Sequence, residues 1–145
     1  MTIVRAGREQ AAAVVRLALM LWPDNAETEL KEELAPLLES ADAAFFLAQE
    51  QGGWVGFAQC QLRRDYVEGT SSSPVGYLEG IYVIEPCRRR GIAAAPLEEC
   101  QLWAKGQGRR EFASDCELGN DESLRFHESV GFREANRIIC FTKRI

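Results

Sequence analysis

Hydrophobic and polar positions alternate along this chain with two periods. Thr2 to Arg5 reads as a short first strand. From Arg8 to Trp22 the apolar positions Val14, Leu17, Ala18 and Leu21 recur at helical spacing, and Pro23 disfavours helical geometry at Trp22, so the helix should end there. Leu30, Leu34, Leu37 and Leu38 form the stripe of a second helix, opened by a capping box at Asp24-x-x-Glu27 and kinked or ended by Pro36. Ala43 to Glu50 and Trp54 to Arg64 read as a hairpin around Gln51-Gly52-Gly53. Asp65 to Pro74 is polar and rich in Gly and Ser, hence a loop.

The stretch from Tyr77 to Ala93 is the most informative. It reads as a buried strand, a turn, a basic glycine-containing loop and the start of a helix that Leu97, Leu102 and Trp103 carry to Gly106. With that helix starting near Gly91, Pro96 should cost it one hydrogen bond. Glu111 to Ser114 reads as a strand, Glu122 to Val130 as a helix ended by Gly131, and Ile138 to Phe141 as a terminal strand. The order β-α-α-β-β-β-α-β-α-β describes one α/β domain over residues 1–145 with a mixed sheet. The helix after the central strand is a crossover, so the two strands it joins should be parallel.

Composition narrows the function. A chain of 145 residues, 46% hydrophobic, has material for a real core. Net charge −5 argues against nucleic-acid binding, which makes Arg88-Arg89-Arg90-Gly91 a local basic feature: a discrete anion site, or a solvated basic turn. Unpaired N–H groups at a helix start together with guanidinium forks suit a pyrophosphate. Five scattered cysteines without a C-x-x-C pair, and one histidine, point to reduced thiols and no metal. No leader pattern and no membrane-length apolar run is present, so a cytoplasmic protein with no membrane partner is the expectation.

Other side chains carry two readings each. Trp22 is a core plug or a pocket wall, and Tyr66 is a surface tyrosine or a ring packed on a ligand. The carboxylates of Glu27, Glu29, Glu32 and Glu33 are a solvated face or an acidic rim. Glu79 and Asp115 are strand-end caps or cleft carboxylates able to hold a cationic amine and take its proton. His127, the only histidine, is structural or an acid for a leaving group.

Two motifs in order carry a resemblance. Arg88-Arg89-Arg90-Gly91-Ile92-Ala93 fits the R/Q-x-x-G-x-G/A loop of the GCN5-related N-acetyltransferases (GNAT). Asn120 to Phe132 resembles that superfamily's N-x-x-A-x-x-L-Y-x-x-x-G-F helix, with Ser123 for Ala, Phe126 for Leu and His127 for Tyr. Leu21-Trp22-Pro23, Arg63 to Gly69, Ser73-Pro74-Val75, Leu78 to Ile81 and Phe112 to Asp115 narrow it: nearly the full chain resembles the aminoglycoside 6′-N-acetyltransferases.

That resemblance implies a mostly antiparallel sheet flanked by helices, with a splayed parallel strand pair that binds acetyl-CoA, and a cytoplasmic homodimer. It implies acetyl transfer to the 6′-amine of an aminoglycoside, conferring antibiotic resistance. Ile81, Tyr82 and Val83 would bond the pantetheine arm, beside a bulge near Gly80. The loop from Arg88 through Arg89, Arg90, Gly91 and Ile92 to Ala93 would hold the pyrophosphate, and Asn120 the pantetheine. Glu79, Asp115 and His127 would be catalytic. Trp22, Asn25, Tyr66, Glu79, Asp115 and Asn136 would line the substrate, with Asn136 standing where related enzymes carry an acidic residue. Acetylation of a polyamine, protein amine or other small amine, and a non-catalytic acyl-CoA sensor, are the competing readings.

Overall fold

In a computed structural model, which describes residues 1–145, a five-stranded sheet runs in the spatial order β1 (Thr2–Arg5), β2 (Ala43–Glu50), β3 (Gly53–Arg63), β4 (Val75–Val83), β5 (Phe112–Ala113). The first three pairings are antiparallel and β4–β5 is parallel. Helices α1 (Ala11–Leu21), α2 (Glu27–Leu38), α3 (Ala94–Gly106) and α4 (Asp121–Ser129) complete the chain order. Short 3-10 turns occupy Arg8–Gln10 and Glu85–Cys87. No helix is long and apolar enough to cross a membrane.

Strand β2 shows why the pattern folds this way. Its residues Ala43 to Ala48 are buried without interruption, because helices cover both faces of the sheet. Phe45 and Leu47 meet α1 and α2 through Val14, Leu17, Leu30 and Leu34. Ala44 and Phe46, on the opposite face, meet Leu97, Cys100 and Trp103 of α3. Each large side chain removed from water there contributes about 1.5–3 kcal/mol before chain entropy is subtracted.

Four expectations change. There is no capping box at Asp24, because Trp22 to Asn25 form a turn (Asn25 N–H to the Trp22 carbonyl, 3.2 Å) and the extended Ala26 becomes the N-cap. Pro36 lies inside α2, two residues before its end, on an exposed face where the orphaned carbonyl is open to water. Helix α3 starts at Ala94, not near Gly91, so Pro96 falls in the first turn, where no intrahelical donor is needed, and it costs no hydrogen bond. The terminal strand is absent: residues 130–145 belong to no helix or strand. Ile138, Ile139 and Phe141 are 69%, 79% and 86% exposed. A strand needs a ladder partner, and none is in place for this segment.

Candidate active site

The parallel pair β4–β5 is held by two rungs only, Gly76–Phe112 and Tyr77–Ala113. Beyond Tyr77, β4 continues against β3 alone, which leaves its other edge unpaired. The divergence begins beside a bulge: Cys60 opposes Leu78 and Gln59 opposes Gly80, so Glu79 is the extra residue. Ile84 N–H donates to the Val55 carbonyl on β3. Strand alternation therefore turns Tyr82's backbone towards β3, and the backbones of Ile81 and Val83 towards the gap. Of the three residues expected to bond an extended ligand by main chain, two point the right way. The Val83 carbonyl already accepts from Arg88 Nε at 2.8 Å, leaving its N–H free.

The gap leads to the basic loop. Arg89 and Gly91 adopt positive φ (65° and 73°), a left-handed conformation that curls the backbone before α3. The six N–H groups from Arg89 to Ala94 donate to no acceptor within the protein. Consecutive unpaired N–H groups of this kind, at the positive end of the 13-residue α3, make an anion cradle. The arginine side chains divide the work differently from expectation. Arg90 forks Glu50 on β2 at 2.9 and 2.8 Å, and Arg88 folds back over the Tyr82 ring, 5.0 Å from its centroid. Both hold the loop in shape, while Arg89 alone has no partner in the protein and is the free charge.

Glu79 and Asp115 each follow the last β4–β5 rung by two residues, and the fold brings them to one place. They are linked by two residues that pattern reasoning missed. Arg63 Nε and Nη2 donate to Glu79 at 2.8 and 2.6 Å. The Arg63 guanidinium lies over the Tyr77 ring, 3.5 Å from its centroid, and the Tyr77 hydroxyl donates to the Asp115 carboxylate. The Glu79 hydrogen bond raises the Arg63 pKa, and burial followed by the Asp115 bond pushes the Tyr77 phenol upward, so Tyr77 is a standing proton donor. The only linear signal was Arg63 near the end of one hairpin strand and Glu79 on the next. The bulge, invisible in the sequence, decides that they meet.

Trp22 lies against Gly80, the residue that follows Glu79. A Cβ on Gly80 would come 2.7 Å from Trp22 Cη2 and 3.1 Å from Leu21 Cδ2, so only glycine lets the indole lie on the strand. The ring stands edge-on to Phe57, with centroids 6.4 Å apart, and is half-buried, so it packs on the core and stays partly accessible. Tyr66 is 76% exposed on the β3–β4 loop. Asn25 donates from its side chain to the Trp22 carbonyl, at 3.2 Å. The Asn136 amide donates to Glu68 at 2.9 Å, which fastens the tail to the Tyr66 loop.

The remaining residues belong to α4. Asn120 caps it, its side-chain oxygen accepting from Ser123 N–H at 3.2 Å, so only the amide NH2 is available to a ligand. His127 Nδ1 lies 2.7 Å from the Ser123 carbonyl, which can only accept, and Nε2 lies 2.8 Å from Ser114 Oγ. The network therefore assigns the proton to Nδ1 and lets the Ser114 hydroxyl donate to Nε2. Both ring nitrogens are engaged, Nδ1 also lying 3.3 Å from Ser123 Oγ, and Nε2 exchanges a proton by way of Ser114. No group of three or more His, Cys, Asp or Glu is arranged to hold a metal ion.

Residues 12–132 match the family model described as Acetyltransferase (GNAT) family. Over 144 residues the chain is 39% identical to an aminoglycoside N(6′)-acetyltransferase type 1 of Serratia marcescens, covering 99% of each. It is 44% identical to one of Stenotrophomonas maltophilia, over 97% of this chain and 91% of that one. The structure of AAC(6′)-Iy in complex with the bisubstrate analogue CoA-S-monomethyl-acetylneamine superposes with a TM-score of 0.95 at 34% identity, covering 99% of this chain and 98% of that one.

Proposed function

This chain belongs to the acetyltransferase (GNAT) family and is an acyltransferase, and from that premise we propose that it moves acetyl from acetyl-CoA to the 6′-amino group of an aminoglycoside, conferring resistance. One observation carries the reading. The wedge between β4 and β5 has an anion cradle of unpaired N–H groups at one end and two carboxylates beside an indole at the other. The likeness to curated aminoglycoside acetyltransferases over nearly the whole chain selects the amine.

The residues divide the reaction as follows. The N–H groups of Arg89 to Ala94 and the Arg89 guanidinium hold the pyrophosphate. Ile81 and Val83 bond the pantetheine arm by main chain, and the Asn120 NH2 adds a donor. Trp22 and Tyr66 pack on the sugar rings, and Glu79 and Asp115 receive the ammonium of the amine to be acetylated. One of the two carboxylates takes its proton, directly or through water, because an ammonium has no lone pair. The freed amine then attacks the thioester carbonyl in a ternary complex. A C–N bond forms, the oxyanion is met by the Val83 N–H, and the C–S bond breaks. CoA leaves as the thiolate and becomes the thiol by taking up the second N–H proton, which the amine gives up as it becomes an amide, through solvent or through the Ser114–His127 pair.

Thiol release from acetyl-CoA should be seen with kanamycin, tobramycin, gentamicin components bearing a 6′-amine and amikacin, and should vanish with an analogue carrying hydroxyl at the 6′ carbon. Turnover with spermidine alone would reject the antibiotic reading. Acetyl-CoA affinity without turnover of any amine would replace it by a sensor.

The reading includes a homodimer. Its support is the tail, where the exposed Ile138, Ile139 and Phe141 form an apolar strand sequence without a partner in its own chain. Sedimentation should give a species of about twice the 16.2 kDa chain mass, and deleting residues 138–145 should return it to monomer. An intact chain that remains a 16.2 kDa monomer at tens of micromolar would reject the dimer.

A further inference from the structure

Tyr77 holds no role in the scheme above, yet it is the hub of the carboxylate cluster. It is 5% exposed, whereas Arg63 and Asp115 lie open to solvent and Glu79 is partly covered. The sheet locks its backbone from both sides, since it opposes Gln61 on β3 and Ala113 on β5 at the last rung before the strands part. The ring therefore has a fixed seat, while the Arg63 and Asp115 side chains around it are exposed and Glu79 is partly covered. Each end of the ring has one of those groups in contact. Its hydroxyl donates to Asp115, and its face carries the Arg63 guanidinium, which forks Glu79 through two hydrogen bonds.

We infer that Tyr77 is a positioning residue that sets the direction of both amine-facing carboxylates, Asp115 through its hydroxyl and Glu79 through the arginine stacked on its face. A ring needed only for packing would be served as well by phenylalanine, whose face also seats a guanidinium. The hydroxyl is the feature that packing does not require, and here it reaches an exposed carboxylate instead of water. A carboxylate on a free rotor spends little time in the geometry that takes a proton from a bound amine. One held by a donor on a rigid strand is pre-set for it, and misplacement by an ångström costs heavily in such reactions.

The inference rests on the proposed reading of Glu79 and Asp115, and a pair of mutant cycles tests the two separately. Tyr77→Phe keeps the ring and the Arg63 seat but removes the donor to Asp115. It should lower kcat/KM for the amine about tenfold, with the acetyl-CoA dissociation constant and the melting temperature close to wild type. In an Asp115→Ala background the same change should cost less than about twofold, because its target is gone. In a Glu79→Gln background the full loss should return. Tyr77→Leu, which removes the seat as well, should lose its effect only when both carboxylates are replaced.

Wild-type kinetics with Tyr77→Phe, or an equal loss with and without Asp115, would overturn the positioning role and leave the active-site reading standing. An Asp115→Ala enzyme with unchanged kinetics would overturn both. The cycles use whichever amine the wild type acetylates fastest, so a failed aminoglycoside panel rejects that substrate without touching Tyr77. A wild type that acetylates no amine rejects the reading and the inference together.

Discussion

Replacing Glu79 by glutamine should lower kcat/KM for aminoglycoside acetylation by about 10²–10⁴-fold, the range a positioned acid–base group supplies. In free energy that is about 2.7–5.4 kcal/mol at the transition state. Glutamine keeps the shape and an oxygen for Arg63, so the loss reports the charge. Stability should fall by no more than about 1 kcal/mol, because the Arg63 side chain is 43% exposed and, although that of Glu79 is only 16% exposed, glutamine still offers the arginine an acceptor. Acetyl-CoA affinity should also hold, since its proposed donors lie in the loop from Arg89 to Ala94. A loss confined to KM makes Glu79 the holder of the ammonium, and a loss in kcat makes it the base. Unchanged KM with less than a tenfold fall in kcat would move the proton transfer to Asp115.

Gly80→Ala should be the next most damaging change, although it adds one methyl group to a strand. The new Cβ would sit 2.7 and 2.8 Å from two indole carbons of Trp22, with Leu21 Cδ2 at 3.1 Å. Trp22 must then leave the strand and its edge contact with Phe57. Overpacking of this kind costs about 1–3 kcal/mol in stability. If Trp22 walls the aminoglycoside site, kcat/KM for the drug should fall about 10- to 100-fold, equivalent to about 1.4–2.7 kcal/mol. The diagnostic comparison is with Trp22→Ala: once the indole is gone, adding Gly80→Ala should cost little more. A Gly80→Ala enzyme with normal drug kinetics would return Trp22 to the core and strip it of any part in binding.

Local signals were strongest where both ends of an element carry punctuation. Ala43–Glu50 is bounded by a polar turn on each side and was readable to the residue, and the end of α1 fell at Leu21, one residue before the expected Trp22. Errors arose where two local devices compete for the same residues. Asp24 had the composition of a cap, but the turn from Trp22 to Asn25 used that segment first. Pro96 looked costly only because the left-handed residues Arg89 and Gly91, which delay the helix to Ala94, leave no periodic trace. The tail from Ile138 has a strand's composition, yet pairing depends on a partner edge that the linear pattern does not contain.

The candidate site divides along the same line. The basic loop and the two carboxylates could be read from residue type and resemblance, and the fold brings Glu79 and Asp115 to the same mouth. Arg63 and Tyr77 could not, because a one-residue bulge at Glu79 determines which side chains of β3 and β4 oppose each other. The bias towards main-chain recognition was also hidden. Arginine is conspicuous in a sequence, whereas an unpaired N–H belongs to every residue but proline and shows only when its acceptors are counted.

That last feature bears on how an inhibitor of this enzyme would age. The proposed drug-facing mouth is built from side chains, each open to replacement by a single codon change. The cradle at Arg89 to Ala94 is built from amides that every substitution except proline preserves. A compound anchored on those amides would meet a surface that mutation can reshape only by bending the loop itself, where we propose the enzyme's own co-substrate sits.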